Sequence, residues 1–142
     1  MPDGSMPPVA ASARRRLPGR RLCDTVRVVH RTDGSETRFF VTVGYHPDEP
    51  MRPVEVFYSG GFRAGADLEV IAQDAAVLVS LLLQHGASVE DVAHSLARRE
   101  NAMGQDVASS LIGSMVEVLA QPPSWAEELA AARSAVSEED KR

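Results

Sequence analysis

The stretch "VEVFYSGGFRAGADLEVIAQ", residues 54–73, decides the fold because its apolar residues change their spacing at a glycine-containing loop. Before the loop, Val54, Val56 and Tyr58 alternate with their neighbours, which is the period of a half-buried strand. From Leu68 onward the apolar residues recur at spacings of three and four, which is the period of a helix. The sequence therefore predicts a strand, a tight connection and a helix in that order.

Two more alternating runs precede this stretch and predict two more strands. The first run begins at Leu22, and the second covers residues 37–45. Asp33-Gly34 lies between them, and this dipeptide is a strong hairpin signal. Three successive strands with short connections predict an antiparallel meander with one buried face and one partly wet face.

Helical patterns follow the three strands. Residues 67–86 are apolar on nearly every side of the predicted helix, so we expect this helix to be central and packed on more than one neighbour. Ser88, with Asp91 three residues later, predicts a capped second helix. Residues 106–120 predict a third helix that ends before two prolines, and a last helix follows around Trp125.

This order predicts an α+β domain, with a three-stranded antiparallel sheet followed by three to four helices packed on one face. Residues 1–13 lack periodicity and are rich in Pro, Ala and Ser, so we interpret them as a disordered leader. Residues 14–121 form the single domain in this interpretation. Residues 122–142 are expected to be a weakly docked helix with an acidic tail, held through Trp125.

Length and composition limit the class of protein. A chain of 142 residues with 44% hydrophobic residues suits one soluble domain. No apolar run approaches the roughly 20 residues that cross a bilayer, and the N-terminal segment does not resemble a secretory signal. A cytoplasmic protein without membrane contact is the expectation. The single cysteine, Cys23, excludes an internal disulfide and a multi-cysteine zinc site.

Charge is distributed unevenly along the chain. The net charge is -5, yet residues 1–38 hold eight arginines against four acidic residues. Short basic runs are weak motifs, so we interpret this segment first as a solvated, mobile arm. Arginine suits bidentate contacts with phosphate, so an anionic partner such as a nucleic acid is the alternative. The candidate binding residues of this arm are Arg14, Arg15, Arg16, Arg20 and Arg21.

The glycine loop resembles part of a phosphate-binding loop. Gly60 and Gly65 have the spacing of that motif, and Arg63 lies between them. However, Ala66 and Asp67 stand where the motif requires Lys and Ser or Thr. We therefore interpret the loop as a turn whose helix is capped by Asp67. A nucleotide-binding regulator that uses Gly60, Gly61 and Arg63 remains the alternative.

No catalytic set, metal site or cofactor is predicted. The four histidines share no ligand spacing, and Cys23 has no partner base. Asp74 is the most unusual polar residue because it lies within the most apolar helix. We expect it to make a structural hydrogen bond or to contact a partner, so it is a candidate binding residue.

Three segments carry a family resemblance. "RRRLPGRR", "TVRVVHRTDGSETRFFVTVGY" and "PVEVFYSGGFRAGADLEVIAQDAAVLVSLLLQHGASVEDVAHSL" follow one another between Arg14 and Leu119. This succession resembles the TSCPD domain. That domain occurs at the C-terminus of adenosylcobalamin-dependent ribonucleotide reductases and in short stand-alone proteins. The cysteine-bearing motif that names the domain is absent here, so its metal or thiol chemistry is not carried over.

The resemblance implies an accessory module, since a reductase barrel cannot fit in this chain. We expect a non-catalytic protein-interaction module that binds a protein partner or forms a homo-oligomer through a sheet edge or a helical face. Nucleic-acid binding by the arginine arm and nucleotide binding by the glycine loop are the alternatives.

Overall fold

The computed structural model describes residue 4 and residues 13–32, 34–63 and 65–140. Most of the predicted leader, residues 1–13, lies outside the described residues, and so does Asp33 of the predicted hairpin turn. Five strands and four helices form within the described part of the chain. They are β1 (Leu22–Thr32), β2 (Ser35–His46), β3 (Glu49–Ser59), α1 (Asp67–Gln84), α2 (Val89–Ser95), β4 (Arg98–Glu100), β5 (Asp106–Ala108), α3 (Leu111–Leu119) and α4 (Ala126–Glu139).

The first three strands form one antiparallel sheet in the order β1-β2-β3. Val26 of β1 pairs with Val41 of β2, and Val43 of β2 pairs with Val56 of β3. The alternation in the sequence fixes this register, because a shift by one residue would expose every apolar side chain of the buried face. The predicted α+β class with a three-stranded meander is confirmed.

The core lies between the inner face of the sheet and helices α1 and α3. Its members come from alternate positions of the strands and from one side of each helix. The cluster of buried residues comprises Phe39, Val41, Val43, Tyr45, Val56, Tyr58, Ala72, Ala76, Val79, Leu83, Met115, Val116, Val118 and Leu119.

Helix α1 covers the free edge of β3. The hydroxyl of Ser80 accepts a hydrogen bond from the backbone N–H of Val56 at 2.9 Å. The side-chain amide of Gln84 donates to the carbonyl of Val54 at 3.1 Å. Unpaired edge groups invite pairing with another strand, so these two side chains close β3 to such pairing.

The opposite side of α1 is exposed, although the sequence predicts a helix packed on several neighbours. Only the small or branched residues at one side, such as Ala76 and Val79, enter the core. Leucine and isoleucine on the other side contact no second layer of the described chain and remain 49–62% exposed. Helix α1 does pack on both β3 and α3, as expected, but the expectation that it is central is wrong.

The third helix begins later than predicted. Residues 106–108 form β5, which pairs with β4 in a separate two-stranded ribbon. Ser110 is the N-cap of α3, because its hydroxyl accepts a hydrogen bond from the N–H of Gly113 at 3.0 Å. Gly113 packs close to Ala108, and a Cβ added to it would lie 2.9 Å from the Ala108 Cβ.

Trp125 connects the last helix to the sheet. Its indole N–H donates to the carbonyl of Pro50 at 2.8 Å. Its ring packs edge-on against the ring of Tyr45, with the two ring centroids 4.9 Å apart. Helix α4 itself has no buried residue. The domain boundaries predicted from the sequence stay a prediction.

Candidate functional site

The glycine loop between β3 and α1 is a turn with three glycines at positive φ. Gly60, Gly61 and Gly65 have φ angles of 80°, 91° and 81°, which side-chain-bearing residues rarely adopt. The N-cap of α1 is Ala66 and no side chain caps the helix, so the predicted cap at Asp67 is wrong. Asp67 is instead the first helical residue, where its negative charge interacts favourably with the positive end of the helix dipole.

Two polar atoms are buried beneath this loop without a hydrogen-bond partner among the described residues. They are the hydroxyl of Tyr58 and Oε2 of Glu69. Burial, together with the nearby charge of Glu69, raises the pKa of Tyr58 to about 12. The hydroxyl therefore stays protonated at neutral pH and is not a general base.

The basic arm is docked on the domain. The backbone N–H of Arg15 donates to the carbonyl of Gln84 at 2.9 Å, and its guanidinium lies 2.6 Å from Glu49. Arg21 forms an ion pair with Glu55 at 3.0 Å. The expectation of a solvated arm is therefore wrong for these residues.

A cavity of about 880 Å³ lies between the arm, β3 and the adjacent side of α1, and we call it the arm groove. Arg14, Arg15, Arg16 and Arg21 line one part of it. Its other walls include Phe57 and Val77. Four of the five predicted arm arginines thus surround one cavity, whereas Arg20 lies outside it.

Two of these guanidiniums have no carboxylate partner among the described residues. Arg14 donates through Nε to the side-chain oxygen of Gln84 at 2.6 Å, which leaves its positive charge uncompensated. Arg16 is exposed and makes no hydrogen bond or ion pair to another described residue. The arm groove is therefore a cationic site.

A second candidate surface is the exposed side of α1, which we call the α1 face. It comprises Leu68, Val70, Ile71, Leu78 and Leu82, each 45–62% exposed. With Ala75, four of these residues follow the three–four spacing of a coiled-coil seam. This spacing is visible in the sequence, but the same pattern is also typical of the inner side of a buried helix.

The other predicted binding residues lie apart. Asp74 is exposed on α1 and makes no hydrogen bond to another described residue. Arg63 is exposed beside the glycine loop. Neither of them lines the arm groove, and neither do Gly60 and Gly61. Nucleotide binding at the loop stays a prediction.

One buried polar pair was not predicted. Nδ1 of His30 lies 2.6 Å from the hydroxyl of Ser114 and joins β1 to α3. Burial and the charge of Arg99 lower the pKa of His30, while the charge of Glu117 opposes them. The position of His30 on the buried side of β1 was the available signal, but Ser114 lies 84 residues away in the sequence.

The described residues contain neither a candidate metal cluster nor a candidate membrane-spanning helix. They contain no group of three or more His, Cys, Asp or Glu that could hold a metal ion. None of the helices in the described ranges combines the length and the apolar character that crossing a bilayer requires.

These features define a small α+β domain with a cationic groove and an exposed apolar helix. The family model of the TSCPD domain matches residues 14–122. The chain therefore belongs to the TSCPD domain family. No curated protein and no solved structure matches the chain in the same comparisons.

Proposed function

We propose that this chain is a non-catalytic protein-interaction module that binds its partner through the α1 face. The exposure of five large aliphatic side chains on one helix is the observation that carries the proposal. Membership of the TSCPD family supports an accessory role of the kind expected for a domain related to ribonucleotide reductases.

The size of the α1 face suits a protein partner. Its side chains expose on the order of 500 Å² of apolar surface, which lies within the 300–600 Å² of the largest, often functional, patches on monomers. A standard interface buries about 800 Å² on each partner. The α1 face with a rim of neighbouring residues would reach that area.

A second copy of the chain is the partner that we favour. The exposed leucines and isoleucine of α1 recur at the three–four spacing of a coiled-coil seam. Two copies of α1 that pack antiparallel along this seam bury the same residues on both chains. Such a contact repeats itself under a twofold axis, as a closed dimer requires.

Sedimentation velocity over a range of protein concentrations tests the proposal. We expect the wild-type chain to form a dimer and Leu78→Glu to be monomeric, because a buried unpaired carboxylate opposes association. Val136→Glu is the matched control, since Val136 is 59% exposed on α4 and lies off the α1 face.

Each outcome of that measurement has a separate meaning. If the wild-type chain is a monomer, a second copy is excluded as the partner, and the partner must be a different protein. A dimer that persists in Leu78→Glu would overturn the assignment of the surface.

Nucleic-acid binding is the second candidate function, and one structural observation favours it. Phe40 and Phe57 are 47% and 51% exposed on the outer face of the sheet, and Arg27 pairs with Phe40 across the strands. Exposed aromatic rings beside arginines suit stacking with unpaired bases. Binding of a single-stranded oligonucleotide should weaken steeply with salt and disappear without residues 1–21. Binding that survives this deletion would exclude the arm as its origin.

A further inference from the structure

The arm groove has the volume of a small-molecule site. Its cavity of about 880 Å³ falls within the roughly 300–1,000 Å³ of ligand pockets. It differs from the α1 face, because it opens on the side of α1 that borders β3. An occupant of the groove would therefore be recognised independently of a partner on the α1 face.

The polar groups in the wall of the groove differ in their freedom to bind a ligand. The hydroxyl of Ser80 is already bonded to the backbone of Val56, and the amide of Gln84 to Val54 and Arg14. These groups are satisfied by the protein. The uncompensated guanidiniums of Arg14 and Arg16 can donate hydrogen bonds to a bound anion.

The apolar part of the wall suits a flat ring. Phe57 lines the groove and exposes about half of its surface, and Val77 exposes 57%. Leu81, one helical turn after Val77 on α1, also lines the groove. An aromatic body placed against Phe57 would cover surface that is otherwise in contact with water.

The arm is held in position by contacts that a ligand does not need to form. Arg15 binds the carbonyl of Gln84 and the carboxylate of Glu49, and Arg21 binds Glu55. A preorganised site avoids part of the entropic cost of ordering a loop around its ligand.

We propose that the arm groove binds an aromatic organic anion, with its phosphate or carboxylate between Arg14 and Arg16 and its ring against Phe57. Arginine binds both kinds of anion through paired N–H donors. The phosphate and carboxylate classes are separated by experiment.

Isothermal titration calorimetry at fixed ionic strength tests this site. The probes are AMP for the phosphate class and 1-naphthoate for the carboxylate class, with adenosine and inorganic phosphate as partial ligands. We expect one of the two complete probes to bind and both partial ligands to bind at least about tenfold more weakly, since charge-assisted hydrogen bonds contribute most of the recognition.

Matched variants locate the site. Arg16→Gln should weaken binding of that probe about tenfold or more without unfolding, because Arg16 has no hydrogen-bond or ion-pair partner among the described residues. Phe57→Ala should weaken it as well. Arg20→Gln is the control, since it removes the same charge from an exposed arm residue outside the groove. Val136→Glu, which lies on α4 and outside the groove, should leave binding unchanged.

Three results would overturn the proposal. The first is that neither complete probe binds at millimolar concentration. The second is that Arg16→Gln and Arg20→Gln weaken binding equally, which would indicate general charge attraction. The third is that Arg63→Gln abolishes binding while Arg16→Gln does not, which would assign the ligand to the glycine loop.

Discussion

The side chain of Glu55 fills the space that a side chain at position 44 would need, so glycine fits there best. The two residues pair across β2 and β3, and a Cβ added to Gly44 would overlap Cγ of Glu55. Glu55 is buried at 4% exposure and binds Arg21 of the arm. One glycine thus makes room for an ion pair between the sheet and the arm.

Gly44→Ala should therefore destabilise the protein. The added methyl group displaces the buried carboxylate, and such overpacking costs about 1–3 kcal/mol. Urea unfolding measures the free energy. Gly19→Ala is the control, because nothing lies within 4 Å of a Cβ at Gly19 and its φ is not positive. Equal stability of the two variants would contradict this account of Gly44.

His30 should make the stability depend on pH. Burial lowers its pKa below the ordinary value of 6.5, so the unfolded chain binds more protons than the folded chain below that pH. The contribution of His30 to the free energy of unfolding should be complete above pH 6.5 and should be lost as the pH drops through the pKa of the folded state.

Urea unfolding of wild type and His30→Gln between about pH 7 and 5 measures this effect. The substitution should reduce the slope of stability against pH. His94→Gln is the matched control at an exposed position of α2. A slope that His30→Gln leaves unchanged would show that other groups cause the dependence.

The contact between α1 and the edge of β3 is made by side chains of one helix to backbone of one strand. The hydroxyl of Ser80 accepts from the N–H of Val56, and its one hydrogen is donated to the carbonyl of Ala76 at 2.8 Å, with the carbonyl of Val56 a longer alternative at 3.2 Å. Its hydroxyl therefore serves as a substitute for the missing neighbour strand.

Ser80→Ala should cost about 1–3 kcal/mol, because it leaves the N–H of Val56 buried without a partner. Ser95→Ala is the control, because its hydroxyl donates to the carbonyl of Asp91 on an exposed side of α2. Thermal unfolding compares the two, and amide hydrogen exchange at Val56 should accelerate in Ser80→Ala alone. Unchanged exchange there would contradict the role of Ser80.

The long elements were predictable from the sequence because their patterns extend over several periods. Strands β1 to β3 each have 11 or 12 residues, so alternation fixes their buried side. Strands β4 and β5 have three residues each, which is too short to display alternation. Val107 and Leu111 also share helical spacing, so the sequence predicts the residues of β5 as the start of α3.

The arm groove could not be predicted, because it depends on contacts between distant positions. Arg15 and Glu49 are 34 residues apart, and Arg14 and Gln84 are 70 residues apart. The arginines indicated an anionic ligand, but neither their partners nor the cavity has a sequence signal. Which arginines stay uncompensated is a property of the folded chain alone.

Helix α4 has no buried residue, so it should contribute little to the stability of the domain. A chain that ends after Trp125 should keep its stability within about 0.5 kcal/mol, because α4 buries no residue. Trp125→Ala should instead cost about 2–4 kcal/mol, since it removes the contacts with Tyr45 and Pro50. Urea unfolding measures both variants. A large loss on truncation would show that α4 packs on the domain.

The docking of the arm also has a consequence for synthesis. The arm leaves the ribosome before its acceptor Gln84, which lies 70 positions after Arg14. At translation rates of about 5–20 residues per second, the arginines wait on the order of 4–14 s before α1 is complete. During that interval the nascent chain presents its basic segment undocked, because its acceptor at the end of α1 has not yet been made.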